Sequence, residues 1–569
     1  MGFRNSKKLS LLLRALAWSP LILLASLAIV SPSGTHAQNA DGARFIGGLV
    51  SDSHQILSYF TTPSISGSNA TNLEIEYLTR SIQVELSRRL SQTAQVFIAG
   101  EEGFNDVNAR YTDYQRPQYI VGVKPKIEQD VVETVNYARM RGISFAARAG
   151  GHALTTSLRR IRNAIVIDMT DLNQISYDSE KQRVTIGGGT LTGQFANATH
   201  SYGMEVTVGS CPCTGVIGIS MGAGIGRLQG RYGYLHDNMV SIKLLLANGT
   251  IIQASKDINP DVFWAVRGAG HNFGIGLEAV YKVYPQRNEG IHYVVDFEYD
   301  LGQTESVFET LNDIASPMPP DIAFFVIGRQ KGKNGKPTIN INLVYAGPPS
   351  EAQTFVKKFE SVGPVWQHEK TVSWDSLPWA TYNGMNNVLC TSQGWAKFPL
   401  KQFIAANVQK YDIRTVTAFV RSWASMIEKY GSQSLFTFMF ESFAQQTVRE
   451  RSHDSTAYPW RHASDHFLMM EAANRKYDPE LESIYDAWLS EQQGSFIRTA
   501  GYGENEGGNH GGDGQLRQYV NYGHGSKDPA EALYGYESWR LESLRQLKED
   551  LDPEGLFNGY QPFIEGLED

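Results

Sequence analysis

Arg148-Ala149-Gly150-Gly151-His152 and Gly209-Ser210-Cys211-Pro212-Cys213-Thr214-Gly215 are the two stretches whose reading decides the fold. Each is a short glycine-rich turn that carries a nucleophile, an imidazole in the first and thiols in the second. Glycine has no Cβ and tolerates positive φ, so adjacent glycines let consecutive backbone N–H groups face a ligand and form a concave anion site. A diphosphate suits such a site. The first turn lies between two predicted strands, 144–148 and 164–168. Upstream, 96–98 and 119–123 also read as strands. The span 124–142 passes from strand to helix, with Val131, Val135 and Ala138 on one face and Gly142 as its stop. A β–α–β arrangement therefore leads into the first turn.

Outward from the two turns, the chain divides by texture. Residues 38–95 read as an N-terminal cap in which Ile75, Leu78, Ile82, Leu86 and Leu90 recur at helical spacing, a pattern that speaks for packing rather than chemistry. Gly187-Gly188-Gly189-Thr190 follows the strand 184–186, but it lacks the GxGxxG spacing and the lysine of a phosphate loop. Neither a dinucleotide-binding Rossmann unit nor an NTPase is supported. Asn248-Gly249 marks a hairpin between strands 240–247 and 251–254, and 268–275 makes another glycine-rich approach before the strand 277–283. Beyond Pro285 come strands at 292–297, 322–327, 338–344, 435–440 and 467–470, with helices at 351–359 and 412–429. Strands covered by helices on one side give an α+β domain. The Gly/Asn/Asp-rich run 501–514 reads as a connector, and 518–522 as a strand before a last helix with Leu544, Leu547 and Leu551 on one face.

The bulk properties narrow the class. The 569 residues are 41% hydrophobic and 19% charged, enough for at least two buried cores. A net charge of −8 offers no basic patch, so nucleic acid is not an expected partner. Arg4, Lys7, Lys8 and Arg14 precede the apolar run 20–30 and the small residues up to Ala37, which is the order of a secretory signal. The run is short of the ~20 residues of a membrane span, so no stable span is expected once the signal is removed. Asn69, Asn197 and Asn248 stand in sequons suited to N-glycans. Cys211, Cys213 and Cys390 are the whole cysteine complement and have neither the spacing nor the companions of a zinc site, so no metal is expected. If one is consumed by a cofactor, the other two can pair or stay buried.

Five motifs stand in one order along the chain: 148–152; Cys211-Pro212-Cys213-Thr214-Gly215-Val216-Ile217-Gly218; Gly222-Ala223-Gly224-Ile225-Gly226; the run 259–275 from Asn259-Pro260-Asp261 to Asn272-Phe273-Gly274-Ile275; and Asp552-Pro553-Glu554-Gly555-Leu556-Phe557. In this combination the chain resembles the berberine-bridge-enzyme-like, FAD-linked oxidoreductases of the vanillyl-alcohol oxidase superfamily, and their secreted fungal branch in particular. The resemblance implies an α+β, two-domain PCMH-type FAD-binding fold. Its parts would be a signal peptide (1–37), the N-terminal cap and start of the flavin domain (38–114), the FAD-binding domain (115–287), a substrate domain with an antiparallel sheet covered by helices (288–514) and a returning C-terminal segment (515–569).

It also implies roles. His152 would attach to the 8α carbon of FAD, and a cysteine would add a second bond to C6. Counting back from Gly222 selects Cys211, though a shift of two residues selects Cys213. Arg148, Ala149, Gly150, Gly151, Gly209, Gly215, Gly218, Gly222, Gly226, Gly274, Ile275 and Asn521 would surround the cofactor. Tyr522, in the family's Asn-Tyr motif, would remove the substrate proton, with Asn521 beside it. A phenol with an ordinary pKa near 10 needs a neighbouring positive charge or hydrogen bonds to act so near neutrality. Thr214 stands where the family has valine in oxygen-using members, and it leaves oxygen access sterically open. Glu441, Arg461, His462, His466 and Glu471 are polar candidates for the substrate wall. The expected activity is hydride removal from a small secondary metabolite or carbohydrate alcohol, with O2 reduced to H2O2. The alternatives are a dehydrogenase with another acceptor and a catalytically idle binding protein of the same fold.

Overall fold

The first sheet is built from β1 (Gln95–Ile98), β2 (Tyr119–Lys124), β3 (Phe145–Arg148) and β4 (Ala164–Asp168), in the order β1-β2-β4-β3. β2 pairs with β4, and β4 with β3, in parallel. The sequence accounts for this: β4 is buried at every position and β2 at all but its ends, as strands covered on both faces must be. Helix α1 (Asn72–Arg89) packs against β1 and β2. Helix α2 (Glu128–Arg141) joins β2 to β3 and ends at Gly142, whose φ of 63° is the left-handed stop that glycine supplies. The computed structural model describes residues 72–564 apart from 334, 392–397, 463–465, 503–513 and 526. All of these lie in one unit, Ser64–Asp569. The signal segment, the sequon at Asn69 and most of the 501–514 run lie outside the described residues.

The second sheet is antiparallel. β5 (Ile175–Asp178), β6 (Arg183–Gly187), β8 (Met239–Leu245), β9 (Ile251–Ser255) and β10 (Ile275–Lys282) stand in the order β5-β6-β10-β8-β9, and β7 (Met204–Glu205) pairs with β11 (Tyr284–Pro285) as a separate ribbon. The β8–β9 hairpin turns at Asn248-Gly249 as expected. The short helix α3 (Val216–Gly222) follows directly from the second glycine cluster.

The third sheet is wholly antiparallel, with seven strands in the order β15-β12-β14-β13-β17-β18-β16. They are β12 (Ile291–Asp300), β13 (Ile322–Arg329), β14 (Thr338–Tyr345), β15 (Trp366–Ser373), β16 (Leu400–Val408), β17 (Ser434–Phe443) and β18 (His466–Asn474). Its two faces read directly from the period of two in the sequence. On β17, Phe436, Phe438 and Phe440 pack with Phe419 and Trp423 of helix α4 (Ile413–Tyr430) and with Trp488 and Phe496 of helix α5 (Pro479–Arg498). The alternate residues, Met439 and Glu441 of β17 and Met469 of β18, line a cavity on the other face. Strands β15 and β16 and helix α5 have no counterpart among the expected elements.

The C-terminal segment departs from expectation in one respect. The pattern at 518–522 predicts a strand, but Val520–Tyr522 form a single 3₁₀ turn. The last helix, α6 (Ser538–Leu551), packs Leu541 and Leu544 into the core shared by the second and third sheets. The α+β architecture, with an antiparallel sheet covered by helices, is as the sequence implies.

Candidate active site

An elongated cavity of about 400 Å³ runs from the first glycine cluster to the third sheet. Its size falls within the range of small-molecule and cofactor sites. Arg148, Ala149, Gly150, Gly151 and His152 line one stretch, and Gly209, Cys211, Gly215 and Gly218 the next. Gly274 and Ile275 close one side, while Asn521 and Tyr522 enter from the C-terminal segment.

The glycines have a different local reason from the one composition suggests. A Cβ on Gly150 would lie 2.1 Å from the Cys213 carbonyl oxygen, and one on Gly215 would lie 2.8 Å from the Ala149 Cβ. The two clusters thus pack backbone against backbone. Gly222 and Gly226 do not line the cavity: a Cβ on the first would meet Asn521 Oδ1 at 2.3 Å, and on the second Val208 O at 2.0 Å. Both are packing glycines, which corrects their assignment to the cofactor. Gly218 is the contrasting case, since a Cβ there meets nothing within 4 Å.

Arg148 is a fastener for the first turn. Its Nε donates to Ala109 O at 2.8 Å, and Nη1 lies 2.9 Å from Asp168 Oδ1 in a buried ion pair. His152 lies half-buried on the wall, stacked on Tyr111 with ring centroids 4.9 Å apart. Burial pushes its pKa down to about 3, and Lys401, Arg148 and Arg110 add to the shift, so the imidazole is neutral. Its Nε2 is 3.1 Å from Cys213 Sγ. Cys213 is bonded to Cys390, which ties the second glycine cluster to the segment beside the third sheet. The thiol left is Cys211, with its Sγ 3.4 Å from that of Cys213 and its pKa raised to about 11 by burial. Donor atoms of His152, Cys211 and Cys213 all lie within 4.8 Å of one another, but the Cys213 sulfur is spent in the disulfide.

The far end of the cavity is organised around Glu441. Tyr522 Oη donates to Glu441 Oε2 at 2.7 Å, and Ser210 Oγ to Oε1 at 3.2 Å. Burial raises the Glu441 pKa against those two hydrogen bonds and the opposing pull of Arg227. Burial and the adjacent carboxylate hold Tyr522 well above the ordinary phenol range. Where the sequence calls for a cation or phenolate-stabilising bonds beside Tyr522, a carboxylate stands instead. A phenol donating to a carboxylate passes a proton on rather than keeping a negative charge.

Asn521 also changes role. Its Nδ2 donates to Ile219 O at 2.9 Å and Tyr519 Oη at 2.7 Å, and the Tyr560 hydroxyl reaches its Oδ1 at 3.4 Å. It holds the C-terminal segment to α3 and is a positioning residue. The 3₁₀ turn, not a strand, brings it to Tyr519. Of the five polar candidates, Glu441 alone lines the cavity. Arg461 is buried against Asp237 at 2.7 Å, His466 bonds Ser442 Oγ at 2.7 Å, His462 is exposed, and Glu471 pairs with Lys401 at 3.3 Å. Residues that no motif marked also line it, among them Arg110, Tyr111, Tyr382, Asn386 and Tyr560, and His271 joins them from the 259–275 motif. Arg110 and Tyr111 bring the segment in which the flavin domain is expected to start into the cavity wall.

Residues 120–255 match the family described as FAD binding domain. Over 495 residues the chain is 44% identical to the FAD-linked oxidoreductase alt4 of Alternaria solani, a match that covers 86% of this chain and 97% of the relative. The chain is a member of the FAD-linked oxidoreductase family. Among solved structures, Physcomitrella patens BBE-like 1 aligns with a TM-score of 0.70 at 20% identity, over 84% of this chain and 99% of that one. A variant of berberine bridge enzyme in complex with (S)-reticuline aligns with a TM-score of 0.68 at 17% identity, over 85% and 98%. The fold of this FAD-linked oxidoreductase is thus of the berberine-bridge, PCMH type.

The cavity of this oxidoreductase fits FAD by its own residues. Buried Arg110 Nε and His271 Nδ1 have no protein partner among the described residues, and both side chains line the cavity. Gly218 has open space where a side chain would stand. No described helix is long and apolar enough to cross a membrane.

Proposed function

We propose that this oxidoreductase is an oxidase of small, largely apolar alcohols, with FAD held covalently through His152 and Cys211 and O2 as the electron acceptor. FAD supplies a ring that takes the hydride equivalent and yields it to oxygen, forming H2O2. The observation that carries the reading is the Tyr522–Glu441 pair, its carboxylate buried, in the wall of the cavity that Cys211 and His152 also line. The substrate hydroxyl gives its proton to Tyr522 Oη as the phenol proton passes to the Glu441 carboxylate, so the proton ends on a group whose burial favours the neutral form.

The wall around this pair favours an apolar partner. Ile219, Leu389, Met439 and Met469 line it. Its polar groups are largely engaged with one another: Asn386 Nδ2 donates to Ser210 O and Pro378 O at 3.0 and 2.8 Å, and Tyr382 Oη donates to Met439 Sδ at 3.1 Å. A sugar's ring of hydroxyls would displace water without gaining partners here. The Thr214 hydroxyl is turned back to Cys211 O at 3.0 Å and Thr192 Oγ1 at 2.9 Å, which supports oxygen access past its methyl group.

The test is anaerobic mixing of the purified holoenzyme with cinnamyl alcohol and, separately, with cellobiose, followed by air. Flavin bleaching by cinnamyl alcohol with fast reoxidation is expected. Bleaching by cellobiose alone would overturn the substrate class, and slow reoxidation would make the protein a dehydrogenase. Secretion and N-glycosylation belong to the same proposal. Asn197 and Asn248 are both exposed, the latter at a hairpin turn, and a mass shift on glycosidase treatment is the check.

A further inference from the structure

Beyond the Tyr111 ring that stacks on His152 stands a buried ion pair separate from the Tyr522–Glu441 pair. Lys401 of β16 and Glu471 of β18 lie on adjacent strands of the third sheet with Nζ and Oε2 3.3 Å apart, and both side chains are almost wholly buried. Lys401 Nζ sits 3.8 Å from the centroid of the Tyr111 ring, and Tyr111 in turn stacks on His152. Tyr111 is itself pinned to the first glycine cluster, its N–H donating to Gly151 O at 3.0 Å. Ammonium, phenol ring and imidazole thus form one connected series that crosses from the substrate domain to the cofactor turn.

Burying a lysine is costly unless it is paired, and a salt bridge in such a place is weak evidence of stabilisation. Burial works against the Lys401 charge, but Glu471 and Tyr111 outweigh it and keep the ammonium protonated. Burial is the main reason the His152 imidazole is neutral, and a fixed cation at this position adds to it, as do Arg148 and Arg110. An imidazole that is to add to a carbon electrophile must be neutral and held in one plane.

We propose that Lys401, clamped by Glu471 and laid over Tyr111, is a positioning residue that holds the Tyr111 ring against the His152 imidazole and so orients it for its attachment to the flavin. The inference rests on the covalent reading given above. In the attachment, an imidazole nitrogen bonds to the flavin 8α carbon. The two hydrogens lost, one from the methyl group and one from the imidazole, appear on the isoalloxazine ring as its two-electron reduced form. Dioxygen then reoxidises that form and is released as H2O2.

The test compares full-length wild type with Lys401→Met/Glu471→Gln, Lys401→Arg and Tyr111→Leu. The double variant removes the pair together and leaves no lone buried charge. Flavin-free chain, produced under riboflavin starvation, is mixed with FAD, and two quantities are read with time: total bound flavin, and flavin that stays on the acid-precipitated protein and on the His152 peptide. The expected result is unchanged total binding, with attachment slowed at least roughly tenfold in the double variant and in Tyr111→Leu and restored by Lys401→Arg. Attachment at the wild-type rate in the folded double variant overturns the proposal. Should that variant not fold, wild-type attachment in Tyr111→Leu does the same. Wild type without covalent flavin defeats the covalent reading itself, a result distinguishable from either.

Discussion

Replacing Glu441 with glutamine isolates the proton step, because the amide keeps the shape of the side chain and one acceptor oxygen while losing the charge. In the native site the carboxylate accepts from Tyr522 at 2.7 Å and from Ser210 at 3.2 Å, so both donors converge on a group able to take a proton. Loss of a positioned general base typically costs ~10²–10⁴-fold, equivalent to about 3–5.5 kcal/mol of barrier. The assay is the anaerobic rate of flavin bleaching at saturating alcohol. Its pH dependence carries a sign. The base works when ionised, and burial raises its pKa, so wild-type bleaching should fall on the acid side of a midpoint above the ordinary carboxylate range, and Glu441→Gln should show no such limb. Stability moves the other way. A carboxyl whose folded pKa is raised loses folding free energy as pH rises from its unfolded towards its folded pKa. At neutral pH the variant should therefore melt no lower than wild type, and should gain least at acid pH. A variant that bleaches within threefold of wild type, or that is slow only because it has unfolded, would refute the reasoning.

Tyr522→Phe should slow bleaching by roughly 10²-fold, since the relay is cut while Glu441 remains; substrate titration of the bleaching rate checks it. His152→Ala should give yellow protein whose acid precipitate retains only flavin held by sulfur, and His152→Ala/Cys211→Ala a colourless precipitate, as read by pellet fluorescence. Cys390→Ser opens a loop spanning 177 residues; a closure of that length corresponds to up to about 5 kcal/mol, seen as a lower denaturation midpoint. Thr214→Leu should slow reoxidation in air and leave anaerobic bleaching unchanged, as measured by sequential mixing.

Much of the first two sheets is legible in the sequence because their strands are uniform apolar runs or alternate polar and apolar residues, as at Ala164–Asp168 and Arg183–Gly187. The losses have physical causes. β16 begins Leu400-Lys401-Gln402, where buried polar side chains break the apolar pattern of a strand. β15 is an edge strand with Glu369 and Lys370 at its centre, so its sequence looks solvated. At the site, the glycine turns and His152 announce themselves through local spacing. Glu441 meets Tyr522 across 81 residues, and no spacing rule reaches so far. The partner of Cys213 is equally hidden. Gly222 and Gly226 mislead because a motif records that a side chain is excluded, not whether ligand or protein excludes it.

The cavity takes Arg110 from before the first glycine cluster and Tyr560 from almost the end of the chain, with every layer of the protein contributing between them. No early-made portion of the polypeptide contains a whole pocket. Flavin capture thus waits on contacts between segments far apart in the sequence, so a fragment that stops short of Tyr560 should present an unfinished binding wall.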